Sequence, residues 1–241
     1  MINILDTIIQ HKRVEVIQHR MSAPMQELQA SQFFYRPCLS LKQSLQKKDS
    51  SGIIAEFKRR SPSKGVINAE ADVVKVTEAY STSAAGGSNS DLIRARIHSI
   101  PILRKDFIVD EYQIAEAKSI GADVILLIAA CLHPDEVKRL SSFAKSIGLE
   151  VLLEIHNDLE LDHICDDCDI IGVNNRDLKT FIVDINQSVE LALKIPAGKM
   201  KISESGINEP ETIQLLKKHG YQGFLMGEYF MKSPDPAIAF A

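Results

Sequence analysis

The sequence predicts a (β/α)8 barrel, organised as one domain over residues 1–241 with an N-terminal helical extension over residues 1–50. From Gly52 onward, short apolar segments alternate with amphipathic helical segments, the order of a parallel sheet covered by helices. Polar residues recur where these strands end, and barrel enzymes assemble their active sites at that end. A doubly wound sheet would concentrate such signals at one switch point, and the sequence contains no GxGxxG or Walker motif.

The helical extension is predicted from two segments. Ile4, Ile8 and either Val14 or Val16 are spaced like the apolar face of a helix. The segment SLKQSLQKK, after Pro37, predicts a second short helix. We expect both to pack on the larger body, although a partner-binding arm is an alternative.

Seven strands are predicted after the extension, whereas a closed barrel needs eight. The strands are expected at 52–58, 100–107, 123–130, 150–156, 169–177, 199–206 and 223–230. The helices that follow them are expected at 69–80, 111–121, 133–148, 157–168, 184–194, 209–220 and 233–240.

The eighth strand would belong after Tyr80, where STSAAGGSNS leads directly into another helical segment. Either the sheet is open, or a strand and its loop are missing from this sequence. We expect that strand 2 and its loop, roughly ten to twenty residues, are absent between about Ser83 and Gly87.

The composition of the chain argues against some classes of function. The 28 Lys and Arg against 32 Asp and Glu give a net charge of −4, which argues against a nucleic-acid-binding surface. No apolar run reaches the roughly 18 residues of a membrane span, and no apolar signal region begins the chain. We therefore expect a cytoplasmic, monomeric protein with a small-molecule partner, without nucleic acid or membrane.

The stretch GIIAEFKRRSPSKG carries two charges toward the predicted sheet interior. Alternation in a strand places Glu56 and Lys58 on the face of Ile54, and Ala55 and Phe57 on the other. A solvated edge strand is the alternative interpretation. The donor-rich loop that follows suits the mouth of a site for an anionic ligand.

Two further strand ends carry candidate acid–base groups. Lys105 could act as a general acid, with Lys58 lowering its pKa and nearby glutamates raising it, or it could form a Schiff base. A surface ion pair with Asp106 is the alternative. Glu154 follows apolar positions, which predicts a raised pKa suited to a general base, or else a buried ion-pair partner. We expect His156 at the rim.

The last two strands end in SESG and MGE, which predict a phosphate site. In barrels, the loops after strands seven and eight commonly bind phosphate through backbone N–H groups. Gly206 and Gly227 would permit close approach of the backbone.

Cys165 and Cys168 form a CxxC, which could be half a zinc site or a redox pair. No second pair accompanies it, and Asp166 and Asp167 are expected to disfavour a thiolate. We therefore predict neither a metal site nor a redox function here.

Six ordered motifs, EFKRRSPSKG, LRKDF, LLEIH, GVNNRDL, SESG and LMGE, closely resemble those of the indole-3-glycerol-phosphate synthase family of tryptophan biosynthesis. The resemblance covers residues 52–231 and includes the helical extension. It implies a barrel carbon–carbon lyase (carboxy-lyase) without metal or organic cofactor. Its substrate would be 1-(2-carboxyphenylamino)-1-deoxyribulose 5-phosphate, cyclised with loss of carbon dioxide and water to indole-3-glycerol phosphate.

The resemblance also implies residue roles. Lys105 would be the general acid at the ribulose carbonyl and Glu154 the general base of dehydration. Lys58 would meet the substrate carboxylate, with Glu56 orienting the lysines. The residues implied to position the substrate or frame its phosphate are Asn174, Arg176, Ser61, Ser205, Gly206, Gly227 and Glu228.

Two other functions remain open from the residues. Another phosphosugar barrel enzyme, such as an aldose–ketose isomerase, would share the phosphate site but use fewer lysines. A non-catalytic barrel that binds phosphorylated ligands is the second alternative, because a missing strand would open the barrel.

Overall fold

A computed structural model describes residues 4–57, 60–61, 65–67, 73 and 89–233. Its centre is a seven-stranded parallel sheet in the order β1-β9-β8-β7-β6-β5-β4. These strands are β1 (Ile53–Ala55), β4 (Leu103–Arg104), β5 (Val124–Ile128), β6 (Glu150–Ile155), β7 (Ile170–Asn174), β8 (Met200–Glu204) and β9 (Gly223–Met226). A separate hairpin pairs β2 (Arg60–Ser61) with β3 (Gly65–Val66).

The helices lie in the extension and between the strands. Those of the extension are α1 (Ile4–Ser22), α2 (Met25–Gln29) and α3 (Leu41–Gln46). The others are α4 (Asn89–Ala95), α5 (Glu111–Ser119), α6 (Pro134–Ser146), α7 (Asn186–Leu191), α8 (Pro210–Lys218) and α9 (Glu228–Met231). None of the described helices has the length and apolar character needed to cross a bilayer.

The strand order confirms the predicted barrel. First and last in the sheet are β1 and β4, with the eighth position of a barrel between them. The expected gap after Tyr80 falls at 74–88, outside the described residues, so the missing strand and loop stay a prediction. One expected helix is wrong, because 157–168 contains a 3₁₀ helix, Asp158–His163, capped by Asn157.

The sheet buries its two faces in two different layers. Ala55 and Phe57 join the layer between the sheet and the helices, whereas Ile54 joins the barrel interior. This is the alternation predicted for the first strand. The interior cluster comprises Leu41, Leu45, Ile54, Leu103, Val124, Leu126, Ile128, Leu152, Ile170, Met200, Ile202 and Leu225.

Helix α3 closes the N-terminal end of the barrel. Leu41 and Leu45 belong to the interior cluster although they lie in the extension. The carboxylate of Glu150, at the start of β6, accepts hydrogen bonds from the backbone N–H groups of Leu41 and Lys42 at 2.8 Å and 3.1 Å. It therefore holds the first turn of α3 against the strand ends.

Asp123 joins three parts of the chain just before β5. Its fully buried carboxylate lies 2.6 Å from Arg36 and 2.5 Å from Arg96, and it accepts backbone hydrogen bonds at 2.8 Å from both Leu39 and Ile102. Because each carboxylate oxygen is paired, the cost of burying the charge is offset. The extension is thereby fixed to β4 and β5.

The first helix also reaches the loop after β4. Lys12 Nζ lies 3.0 Å from Asp106 Oδ1, and Arg104 Nη2 lies 3.2 Å from Asp106 Oδ2. Asp106 immediately follows Lys105, so the extension contacts the loop that carries a candidate catalytic residue.

Replacing Leu41 tests the closure of the barrel. Leu41→Ala should lower the free energy of unfolding by about 2–5 kcal/mol, because it opens a cavity in the interior cluster. Urea denaturation measures the loss. The matched control is Met21→Ala in the same extension, where the side chain is 83% exposed and the change should stay within about 0.5 kcal/mol. Equal effects of the two substitutions would show that α3 does not contribute to the core.

Candidate active site

A cavity of about 680 Å³ opens at the C-terminal ends of the parallel strands. All the candidate residues predicted from sequence line it except Lys58 and Ser61. Lys58 lies outside the described residues, and Ser61 lies in β2, where only its backbone is described. The lining also includes apolar side chains, here called the apolar wall, of Phe107, Leu178, Phe181, Val183, Ile185 and Ile207.

Lys105 lies between two buried carboxylates. Its Nζ is 3.4 Å from Glu154 Oε2 and 3.6 Å from Glu204 Oε2. Burial would lower the pKa of Lys105, but the neighbouring carboxylates outweigh burial and raise it above its ordinary value. The lysine is therefore a stable ammonium group in the unliganded cavity, and its close acidic neighbours are these buried glutamates rather than Asp106.

Glu154 is held by three partners. Asn174 Nδ2 donates a hydrogen bond to its Oε1 at 3.0 Å, and His156 Nε2 lies 3.2 Å from the same oxygen. Burial would raise the pKa of Glu154, but Lys105, His156 and Asn174 together lower it below its ordinary value. The predicted raised pKa is therefore wrong, because the surroundings are apolar only along the strand and not at the carboxylate.

His156 is buried beside Glu154 rather than placed at the rim. Its side chain is 8% exposed, and its Nδ1 lies 3.2 Å from Glu160 Oε2. Burial favours the neutral ring, but the carboxylates of Glu154 and Glu160 raise the pKa of His156 to about 10. The imidazolium thus adds a second positive charge beneath Glu154.

Glu204 is a site residue that the sequence analysis did not select. No described residue forms a hydrogen bond with either of its carboxylate oxygens. Burial and the nearby charge of Glu154 raise the pKa of Glu204 to about 8, despite Lys105. The alternation of the strand could have identified Glu204 from sequence, because it shares the strand face of Met200 and Ile202, which point into the barrel.

Gly172 provides the space that Glu204 occupies. A β-carbon at Gly172 would overlap Glu204 Oε1 and would lie 3.1 Å from Leu152 Cδ1. Gly172 pairs with Glu154 on one side and with Ile202 on the other. Because Gly172 on β7 has no side chain, the carboxylate of Glu204 on β8 can lie at the floor of the cavity.

Gly227 likewise leaves the space that the side chain of Glu56 occupies. A β-carbon at Gly227 would overlap the Glu56 side chain and would lie 3.0 Å from its backbone oxygen. The backbone hydrogen bonds between β1 and β9 continue here, since Glu56 N donates to Met226 O at 2.8 Å. Substituting Gly227 would consequently displace Glu56 as well as block approach to the backbone.

Ser205 and Gly206 form a tight turn with positive φ angles of 66° and 75°. A β-carbon at Gly206 would overlap Val183 Cγ1, so the turn lies against the loop after β7. Asn175 Nδ2 donates hydrogen bonds to Ser203 Oγ, Glu204 O and Ser205 O at 2.9, 3.0 and 3.1 Å. Asn175 therefore fixes this turn. It was not among the residues predicted from the sequence.

Arg176 and Glu228 meet at the upper edge of the cavity. Arg176 Nη2 lies 3.7 Å from Glu228 Oε2, and both side chains are partly exposed. The backbone N–H of Arg176 donates to Asn174 Oδ1 at 3.1 Å. Asn174 thus links the backbone of Arg176 at the edge to the carboxylate of Glu154 on the floor.

Comparison with known proteins gives a consistent assignment. The family model described as "Indole-3-glycerol phosphate synthase" matches residues 5–240. A protein of that name from Bacteroides thetaiotaomicron is 44% identical over 97% of this chain and 95% of that protein. Another, from Salinibacter ruber, is 37% identical over 99% of this chain and 94% of that protein.

Some relatives contain residues without a counterpart here. The protein of the same name from Acinetobacter baumannii strain ACICU is 36% identical, and it aligns over 260 residues although this chain has 241. The alignment covers 100% of this chain and 96% of that protein. It therefore contains gaps on the side of this chain.

Among solved structures, a mutant tryptophan synthase alpha-subunit from the hyperthermophile Pyrococcus furiosus has a TM-score of 0.57. At 16% identity, over 75% of this chain and 88% of that one, the likeness concerns the fold alone. The family model and the curated relatives concern the sequence itself. On these matches, which span nearly all its residues, the chain belongs to the indole-3-glycerol phosphate synthase family.

Proposed function

We propose that this chain is a carbon–carbon lyase that closes the indole ring of indole-3-glycerol phosphate. Its substrate would be 1-(2-carboxyphenylamino)-1-deoxyribulose 5-phosphate, which loses carbon dioxide and water. The observation that carries the proposal is the ammonium of Lys105 held between Glu154 and Glu204 at the floor of a cavity with an apolar wall.

Ring closure builds negative charge on the ribulose carbonyl oxygen. A buried ammonium stabilises such charge more strongly than water does, because the cavity restricts solvent and the donor is already in place. Among the described residues that line the cavity floor, Lys105 is the lysine in position for this role. We assign it as the general acid that protonates the carbonyl oxygen as the new bond forms.

Dehydration then requires a base. Glu154 is ionised in the unliganded site, so it has the correct form to accept a proton. When the substrate draws Lys105 toward its own oxygen, Glu154 loses its strongest partner and its basicity increases. Asn174 keeps the carboxylate oriented during that change.

The rest of the cavity suits the remaining parts of the substrate. The apolar wall, which includes Phe107, Leu178 and Phe181, would cover the aromatic ring. Ser205 and Gly206 would frame the phosphate at one end, together with the backbone N–H groups at 227 and 228. Arg176 would offer the phosphate or carboxylate a positive partner in place of its present glutamate.

Indole formation tests the proposed reaction. Purified protein is mixed with the anthranilate-ribulose substrate, and indole fluorescence is followed with time. Steady formation of indole product supports the proposal. A phosphosugar isomerase or a non-catalytic binding barrel would give no indole signal, even where calorimetry detects binding of the substrate.

Lys105→Ala should lower kcat by several hundredfold or more, equivalent to about 3–5 kcal/mol, because the developing oxyanion loses its ammonium partner. Steady-state fluorescence assays give the value. Lys194→Ala, which removes a half-exposed lysine paired with Asp158, is the control and should retain full activity. Turnover near that of the unmodified protein would exclude Lys105 as the proton donor.

Glu154→Gln should reduce kcat while KM changes little. The amide keeps the shape of the side chain and its capacity to accept a hydrogen bond from Asn174, but it cannot take up a proton. The expected loss is about 10²–10⁴-fold, the usual contribution of a positioned acid or base. A rise in KM with unchanged kcat would instead make Glu154 a binding residue.

The raised pKa of Glu204 predicts a pH-dependent stability. Its folded pKa of about 8 exceeds the ordinary value of 4.5, so the folded state binds the extra proton between these values. The stabilisation is complete below pH 4.5 and is lost as the pH rises through 8. Glu204→Gln mimics the protonated acid, so it should match the unmodified protein at low pH and exceed its stability at high pH.

Urea denaturation at about pH 5 and about pH 9 measures this difference, which at roughly 1.4 kcal/mol per pKa unit should reach a few kcal/mol. Glu209→Gln, at an exposed position, is the control and should show no such trend. Parallel pH profiles for the two variants would contradict a raised pKa at Glu204.

A further inference from the structure

The CxxC segment lies at the end of the barrel opposite the cavity. Cys165 and Cys168 occupy the turn that precedes β7, and their Sγ atoms are 3.5 Å apart. Cys168 N donates a hydrogen bond to Cys165 O at 3.2 Å, which closes the turn. A disulfide requires about 2.05 Å between sulfurs, so the pair needs to approach by only about 1.5 Å.

The ammonium of Lys199 fixes the shape of this turn. Its Nζ donates to the carbonyl oxygens of Cys165, Asp166 and Cys168 at 2.8, 3.0 and 2.9 Å. Three carbonyl groups that converge on one ammonium leave the turn little freedom.

The two thiols have different surroundings. Cys168 is fully buried, whereas Cys165 is partly exposed. Ser141 Oγ lies 3.2 Å from Cys165 Sγ, a second hydrogen-bonding partner besides Cys168. A partly exposed, hydrogen-bonded sulfur beside a buried one is the arrangement in which one thiol attacks and the other resolves.

Local hydrogen bonds favour the thiolate of Cys165. The Cys168 thiol contributes most, and with Ser141 and the backbone N–H groups of Asp167 and Cys168 it lowers the pKa of Cys165 despite burial. The same contact and burial raise the pKa of Cys168. The expectation that Asp166 and Asp167 would disfavour a thiolate is therefore wrong at Cys165.

We propose that Cys165 and Cys168 form a reversible dithiol–disulfide pair that exchanges with small-molecule disulfides such as oxidised glutathione. The Cys165 thiolate attacks one sulfur of the small disulfide, forms a mixed disulfide and releases one thiolate. Cys168 loses its proton and attacks Cys165 Sγ, which releases the second thiolate. The protein dithiol is oxidised, the small disulfide is reduced to two thiols, and the two protein protons pass to these products or to solvent.

A metal site fits the same residues less well. Two thiols supply half of a tetrahedral zinc site, and the described residues contain no group of three or more His, Cys, Asp or Glu arranged for a metal ion. Thiol–disulfide exchange needs only the pair.

The CxxC pair is far from the cavity. Six residues of extended chain, roughly 20 Å, separate Cys168 from Asn174, so oxidation should leave the cavity unchanged.

The experiment equilibrates the full chain with defined mixtures of oxidised and reduced glutathione, then blocks free thiols by acid quenching and alkylation. Intact mass spectrometry should show a species lighter by two hydrogens, and peptide mapping should place the bond between Cys165 and Cys168. Added dithiothreitol should reverse the change. Indole-forming activity should be the same in both states.

Substitutions assign the two roles. Cys168→Ser should retain one glutathione on Cys165, whereas Cys165→Ser should form neither the internal bond nor a stable adduct at Cys168. The double variant Cys38→Ser/Cys131→Ser is the control, and it should oxidise at the same glutathione ratio as the unmodified chain. Peptide mapping of the unmodified chain tests the proposal without any substitution.

Three results would overturn the proposal. The first is mapping of the bond to Cys38 or Cys131. The second is persistence of a glutathione adduct on the unmodified chain without loss of two hydrogens. The third is absence of oxidation at every glutathione ratio tested, which would make the pair structural thiols only.

Discussion

The close approach of three ionisable groups inside the barrel is the constraint on which the site depends. Lys105 comes from the end of β4, Glu154 from β6 and Glu204 from β8, so three separate strands must keep their register for these side chains to meet. A slip of one residue would turn each side chain to the other face of the sheet. Burial strengthens every contact in this group but makes an unpaired charge costly. Asn174 and Gly172 reduce that cost, the first by a hydrogen bond and the second by leaving room.

The opposite end of the barrel is stabilised by different means. Leu41 and Leu45 fill the interior, while Glu150 and Asp123 bind backbone N–H groups of the extension. At this end Asp123 is paired with two arginines, and Glu150 accepts hydrogen bonds from the first turn of α3. The cavity end keeps an ammonium and carboxylates available to a ligand, and the two ends of the same strands thus divide stability from chemistry.

Much of the fold and most of the lining of the candidate site could be predicted from sequence. Strand–helix alternation and polar strand ends identified the barrel, and nearly all the candidate residues line one cavity. Electrostatics could not be predicted in the same way. The pKa of Glu154 depends on Lys105 and His156, which approach only in the folded chain. Glu204 was not predicted because the SESG motif was assigned to phosphate binding by its serine and glycine. Asn175 was not predicted because its hydrogen-bond partners lie on β8 and α7, which are distant in sequence.

The contact of Lys12 with Asp106 bears on how this barrel could be recombined. Helix α1 reaches the residue that follows Lys105, and Asp106 also pairs with Arg104 on β4. The extension is therefore not an interchangeable module attached to a self-sufficient barrel. A chimera that takes its extension from another barrel would have to carry a matching donor for the carboxylate in the loop after β4. Without it, the new segment would fold beside Lys105 but leave the partly buried carboxylate of Asp106 with one partner fewer.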